Sequence, residues 1–315
     1  MEWLALVLSL LPLFCFARFI RTKQERSLSS FFAEQLLELR IKQSLVPTHK
    51  SLEELSEINR RTYTLPPGLE QLWQIQESMF EAMQVFTLGP KQSDTVLYFL
   101  HGGAYVEQPS LAHWVFLTRL LRLYPCRIVV PIYPKAPDHQ VEEVFALLVR
   151  HLQAFQKNRL LLAGDSAGGG LALGLAQHLL VQQSPLPEQL LLFSPWLDIS
   201  LSNPSVSYLQ ARDPMLNKES LIEYGKAWRG ATPERDPRVS PLFGPLAGLC
   251  PVTLFVGTHE LFLSDARILL SRARKEGLSI EYHEGKRMNH DYPIFPIPEA
   301  KRVRMRVAAI LGGTP

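Results

Sequence analysis

Cysteine is scarce in this chain of 315 residues: there are three, Cys15, Cys126 and Cys250, far apart in sequence. That spacing matches no metal-binding cysteine pattern and no even-numbered disulfide framework, so no metal site is expected and a reducing compartment is the simpler setting. An excess of one charge is missing too. Lys and Arg number 33 against 30 for Asp and Glu, a formal charge of +3. No basic stripe with interleaved aromatics occurs, so nucleic acid is not an expected partner. Internal repeats and low-complexity segments are absent, which sets aside solenoids and disordered tails. What the chain does have is 46% hydrophobic content, enough at this length for one large domain with a sizeable core.

The densest local signal is Gly164-Asp165-Ser166-Ala167-Gly168-Gly169. An aliphatic run, Leu160 to Ala163, precedes it, and a helical-looking run, Leu171 to Ala176, follows. Strand, tight turn and helix with serine at the apex make the G-x-S-x-G nucleophile elbow of serine hydrolases. The turn strains the serine backbone, so its neighbours two residues away must be small, as Gly164 and Gly168 are. A second motif, His101-Gly102-Gly103-Ala104, follows the β-branched and aromatic run Thr95 to Leu100, which reads as a buried strand. Acyl transfer needs backbone N–H groups aimed at a developing oxyanion, and glycines let the backbone come close to it. The expected donors are Gly102, Gly103 and Ala167.

These two motifs together resemble the hormone-sensitive-lipase-like branch of α/β-hydrolases, most of all its acetyl esterase and steryl acetyl hydrolase members. Ser194-Pro195-Trp196-Leu197-Asp198 and Asp236-Pro237-Arg238-Val239-Ser240-Pro241-Leu242 extend the likeness, which runs from near Thr95 to the end. Ala104 departs from the third glycine of many members. The resemblance implies an α/β-hydrolase fold: a mostly parallel sheet with helices on both faces and a helical cap. It also implies a carboxylesterase or lipase that needs no cofactor.

A serine hydroxyl is a weak nucleophile until a base takes its proton. In this fold the chain order is serine, then Asp or Glu, then histidine. After Ser166 come His178, His259, His283 and His290. His178 falls in the elbow helix. His283 lies in the alternating run Ser279 to His283, read as the last strand. His290 follows in the run Gly285 to Pro293, read as a loop, and loops carry such residues. The base is therefore assigned to His290, with His283 second. For the acid, Val252 to Gly257 reads as a strand, and Glu260 and Asp265 compete beyond it. Glu260 aligns with the family's catalytic Asp and is assigned the role. Asp265 suits the start of the next helix. His259 is read as a bystander.

The alternation of strands and helices from Thr95 onward independently argues a parallel sheet, with ligands beyond the carboxyl ends of its strands. The expected division is a hydrophobic N-terminal segment at 1–26, cap helices at 27–84, and a catalytic domain at 85–315 with a cap insert near 203–235. Within the cap helices, Leu36, Leu37, Leu39 and Ile41 alternate with Glu34, Glu38 and Arg40 as in an amphipathic helix. Trp3 to Phe16 is almost wholly apolar, but Pro12 interrupts it and it falls short of the about 20 residues of a span. A signal peptide fits poorly, since Glu2 replaces the basic start and no small-residue cleavage site follows. Two readings stand side by side: membrane association through residues 3–20, with Arg18 snorkelling, and a soluble cap helix. Arg18, Arg21, Lys23 and Arg26 would keep the domain cytoplasmic.

The expected function is hydrolysis of small-molecule esters with short to medium acyl chains, acetyl included, through Ser166, His290 and Glu260. An amidase resembling kynurenine formamidases is the alternative within hydrolases. A non-catalytic binder resembling gibberellin receptors is the alternative outside them, although those lack the histidine present here as His290.

Overall fold

The computed structural model describes residues 18–42 and 50–313. The apolar run from Trp3 to Phe16, with Cys15 in it, lies outside them. Among the described residues the strands are β1 Gln76–Phe80, β2 Met83–Leu88, β3 Thr95–Leu100, β4 Arg127–Ile132, β5 Arg159–Asp165, β6 Gln189–Phe193, β7 Val252–His259 and β8 Ile280–Asn289. They form one sheet in the order β1-β2-β4-β3-β5-β6-β7-β8. The β1–β2 and β2–β4 pairs are antiparallel. All later pairs are parallel, as the alternation of strands and helices predicts.

The sequence of the central strands explains their place. β3 and β5 are nearly unbroken apolar runs, and β3 is buried along its whole length. Strands covered on both faces read that way. Alternate side chains divide the core. Val96, Tyr98 and Leu100 pack with Val144, Leu148 and Leu171 on one face. Leu97 and Phe99 pack with Trp114, Leu117, Val303 and Val307 on the other. Each such side chain contributes roughly 2 kcal/mol on burial. A slip of one residue would exchange the two faces, so the register is firmly set. It is this register that lines up the carboxyl ends of β3, β5 and β7.

Three local expectations fail. Residues 76–84 are not helical: β1 and β2 form a hairpin whose turn has Glu81 at φ +52°. β2 extends the sheet because Met83 and Val85 feed one core face while Phe86 and Leu88 feed the other. That is a two-residue period, not a helical one. The run Gly285 to Asn289 is strand rather than loop. β7 continues to His259 and pairs with it across a register shift, at His259 with Asn289. Third, the helix Leu28–Lys42 is reversed in polarity. Leu36 and Leu39 are exposed and Glu34 is buried. Glu34 accepts from Arg26 and lies 2.6 Å from His259 Nδ1, so a buried ion cluster outbids apolar burial there.

Candidate active site

The serine stands where β5 turns into the helix Ser166–Val181, at φ +50°. The two flanking glycines are forced by contact. A Cβ on Gly164 would lie 2.3 Å from the Gly168 carbonyl oxygen, and one on Gly168 would lie 2.1 Å from the Leu100 oxygen. The Trp196 N–H donates to the Ser166 carbonyl at 2.8 Å, which ties the turn to the segment after β6. Strain of this kind persists only where surrounding structure fixes it.

His290 follows the end of β8. Its Nε2 is 3.0 Å from Ser166 Oγ, and its Nδ1 is 2.6 Å from Glu260 Oε2. The other oxygen of Glu260 accepts from the Gly257 N–H at 2.5 Å and the Ser194 hydroxyl at 3.0 Å. Ser166, Glu260 and His290 are therefore joined in one chain of hydrogen bonds, and all three are buried. The other candidates are elsewhere. His283 Nε2 pairs with Glu281 at 2.8 Å, and its ring stacks on Phe255. Asp265 accepts from Asn203 at 3.1 Å in the first turn of the helix Leu263–Glu276. His259 is bonded to Glu34.

One expected oxyanion donor is already engaged. The Gly102 N–H donates to Asp165 Oδ1 at 3.0 Å. The next two residues have left-handed backbones, Gly103 at φ +114° and Ala104 at φ +52°. Neither N–H enters a backbone hydrogen bond among the described residues. Both residues line a cavity of about 300 Å³ with Ser166, His290, Leu221 and Phe295. Trp228 stacks on Tyr105, just past Ala104, with centroids 4.5 Å apart. A larger groove of about 790 Å³, lined by Arg60, Met79, Lys135 and Arg150, includes none of Ser166, Glu260 and His290.

Sequence reasoning missed a second layer of polar residues. Asp165 holds Gly102 with one oxygen and His113 Nε2, at 3.0 Å, with the other. Asp291 Oδ2 lies 3.1 Å from His290 Nε2, the same nitrogen that faces Ser166. Ser194 donates to Glu260 and accepts from the Asp291 N–H at 3.1 Å. Asp165 and Asp291 adjoin singled-out residues and could have been flagged on that ground. His113 and Ser194 carry no local signal that ties them to the serine.

The electrostatics follow from this crowding. Burial disfavours charge on His290, but Asp291 and Glu260 outweigh it and hold its pKa well above the usual histidine value. Burial pushes the Asp291 carboxyl up to about 6, with Asp165 adding to it. Burial likewise opposes charge on His113, yet Asp165 carries its pKa upward. The arrangement can polarise a hydroxyl with an imidazole backed by a carboxylate, beside the Gly103 and Ala104 N–H groups, which enter no backbone hydrogen bond among the described residues. No group of three or more His, Cys, Asp or Glu side chains among the described residues is placed to hold a metal ion.

Comparison with known proteins gives a consistent picture. A family model described as alpha/beta hydrolase fold matches residues 97–294. An esterase of Acinetobacter venetianus is 30% identical over 274 residues, covering 80% of this chain and 89% of the relative. An acetyl-hydrolase of Streptomyces hygroscopicus is 31% identical over 219 residues, covering 67% of this chain and 73% of its own. The solved structure of an esterase from the bacterial hormone-sensitive lipase family has a TM-score of 0.75 at 26% identity, covering 89% of this chain and 97% of that one.

Proposed function

This chain belongs to the α/β-hydrolase-fold family, within its hormone-sensitive-lipase-like branch, and is a carboxylic ester hydrolase; from that premise we propose that Ser166, His290 and Glu260 are its catalytic triad and that its substrates carry short acyl chains, acetyl among them. The observation that carries this reading is the continuous path from Ser166 Oγ through His290 to Glu260, at 3.0 and 2.6 Å.

Ser166 Oγ attacks the ester carbonyl carbon as its proton passes to His290 Nε2. Glu260 orients the ring through Nδ1 and stabilises the imidazolium, without itself taking the proton. The tetrahedral oxyanion is held by the N–H groups of Gly103, Ala104 and Ala167. Ala167 qualifies because the first N–H groups of a helix have no intrahelical acceptor. His290 then returns its proton to the departing alkoxide. Water attacks the acyl-enzyme with His290 again as base, and Ser166 is released.

Substrate size follows from what roofs the cavity. Lys50 on the N-terminal side and Met215, Leu221 and Tyr224 from the insert line it above Ser166. Tyr224 ties the two segments, accepting from the Lys50 N–H and donating to the Lys50 carbonyl. We assign the cap to the helices before β1 together with residues 203–235. A cavity of about 300 Å³ is at the small end for a ligand site, which favours acetyl and other short acyl groups. The test is a series of p-nitrophenyl esters of rising chain length. Turnover should be highest at the short end. A maximum at long chains would overturn the assignment of substrate.

A further inference from the structure

The helix Leu28–Lys42 faces the wrong way for a helix on the surface of a globular domain. Such a helix turns its apolar stripe to the core. Here Phe32, Leu36 and Leu39, spaced by four and three along one side, are 49%, 61% and 48% exposed. The inward side carries Ser30 and Glu34. Ser30 bonds to Ser27 and Glu299. Glu34 is held by Arg26 and His259. These bonds fix the helix beside the acid loop, since His259 precedes Glu260. The outward stripe is therefore a built feature and cannot rotate inward without stranding buried charge.

The residues just ahead extend the pattern. Residues 18–23 are helical, with Ile20 buried, Phe19 53% exposed, and Arg18, Arg21 and Lys23 exposed. Further ahead, outside the described residues, the chain runs almost wholly apolar from Trp3 to Phe16. Among the described residues no helix is long and apolar enough to cross a membrane.

We propose that this face docks on the surface of a lipid bilayer. Phe19, Phe32, Leu36 and Leu39 enter the boundary between headgroups and acyl chains, and Arg18, Arg21 and Lys23 meet anionic headgroups. Two observations select a bilayer as the occupant. Arg18, Arg21 and Lys23 are exposed on the helical piece that precedes the stripe in the chain, and an anionic lipid surface attracts cations and exposed apolar side chains together. In sequence, the apolar run from Trp3 to Phe16 ends three residues before Phe19, the first of the exposed apolar side chains. On the reading of Ser166 as nucleophile, docking here gives the enzyme access to esters dissolved in lipid.

The experiment uses the full-length chain with phosphatidylcholine vesicles, with and without phosphatidylserine. Flotation measures binding, and an environment-sensitive dye on Leu36→Cys, in a Cys15→Ser background, reports on the stripe. The protein should float, with affinity rising about fivefold for each cation engaged when phosphatidylserine is added. The dye should shift to the blue on vesicles. Phe32→Ser/Leu36→Ser/Leu39→Ser should lose at least about tenfold in vesicle affinity, while dissolved p-nitrophenyl acetate is hydrolysed at the original rate. Flotation with an unshifted dye would overturn the proposal, because the apolar run alone would then bind. A dye already in apolar surroundings without vesicles would also overturn it, showing the stripe covered by this chain or a second copy. Loss of esterase activity in the unaltered protein would bear on the nucleophile and leave the docking result standing.

Discussion

His290 sits between two carboxylates, Glu260 at Nδ1 and Asp291 at Nε2. On the proposed reading of His290 as base, Glu260 aids it, while Asp291 competes with Ser166 for the nitrogen that accepts the proton. An anionic Asp291 favours the imidazolium, so the folded pKa of His290 is raised and catalysis is lost as pH falls through that raised value. Replacing Asp291 with Asn removes the charge and lowers the pKa of His290. The acid limb of kcat/KM against pH for p-nitrophenyl acetate should therefore move to lower pH, by roughly one unit. A limb that stays put or moves upward would show that Asp291 does not govern the base. At this scale the sequence was partly legible. Ser166, Glu260 and His290 could be chosen from turn chemistry, chain order and family likeness, and the fold brings them together. Gly102 could not be separated from Gly103 by type. What distinguishes them is Asp165 Oδ1, which claims the Gly102 N–H, so the oxyanion donors we propose on this turn are Gly103 and Ala104. Ser194 and His113 were illegible because only the sheet order carries them to the serine.

The elements that carry the site are those whose sequences are least ambiguous. β3, β5, β6 and β7 are short apolar runs bounded by turn residues, and their carboxyl ends deliver the His101–Ala104 turn, the Ser166 elbow, Ser194 and the loop that holds Glu260. The elbow helix packs so tightly under β3 that Gly168 admits no side chain. Gly168→Ala would put a methyl group 2.1 Å from the Leu100 oxygen. Overpacking of that order costs about 2 kcal/mol or more. Calorimetry should show a Tm at least about 4 °C lower, and an unchanged Tm would mean that β3 can yield. The hairpin β1–β2 escaped sequence reading because it follows helical segments and its apolar residues feed both core faces. The polarity of the helix Leu28–Lys42 escaped for a different reason. An amphipathic pattern fixes which side is apolar, but not which side turns inward. That choice is made by Arg26, just ahead of the helix and outside its period, and by His259, far away in sequence.

At the scale of the molecule, a buried charge cluster helps fasten the N-terminal segment to the catalytic sheet, alongside the buried Ile20. Arg26 and Glu34 are both buried, and His259, next to the acid, completes the cluster. Burial works against ionisation of Glu34, but His259 and Arg26 prevail and hold its pKa below the usual range. Its contribution to stability is present above the unfolded-state carboxylate pKa and is lost as pH falls through the lowered one. Glu34→Ala would strand Arg26, at a cost of about 3 kcal/mol, measurable by urea unfolding near neutral pH. The same substitution compared at a pH below both carboxylate values should cost much less. Equal losses at the two pH values would mean that the charge cluster is not what fastens the segment. The fold class was legible at this scale, because strand–helix alternation forces a covered parallel sheet. The volume above Ser166 was not, because it depends on how Lys50 and Tyr224 meet across distant parts of the chain. The central claim remains that Ser166, activated by His290, is the nucleophile, and covalent labelling tests it most directly. The protein is treated with a fluorophosphonate, its intact mass is measured, and the adduct is mapped to a peptide. One phosphonyl group on Ser166, formed far more slowly in His290→Ala, is the predicted result. Labelling at another serine, or equal rates in the two proteins, would contradict it.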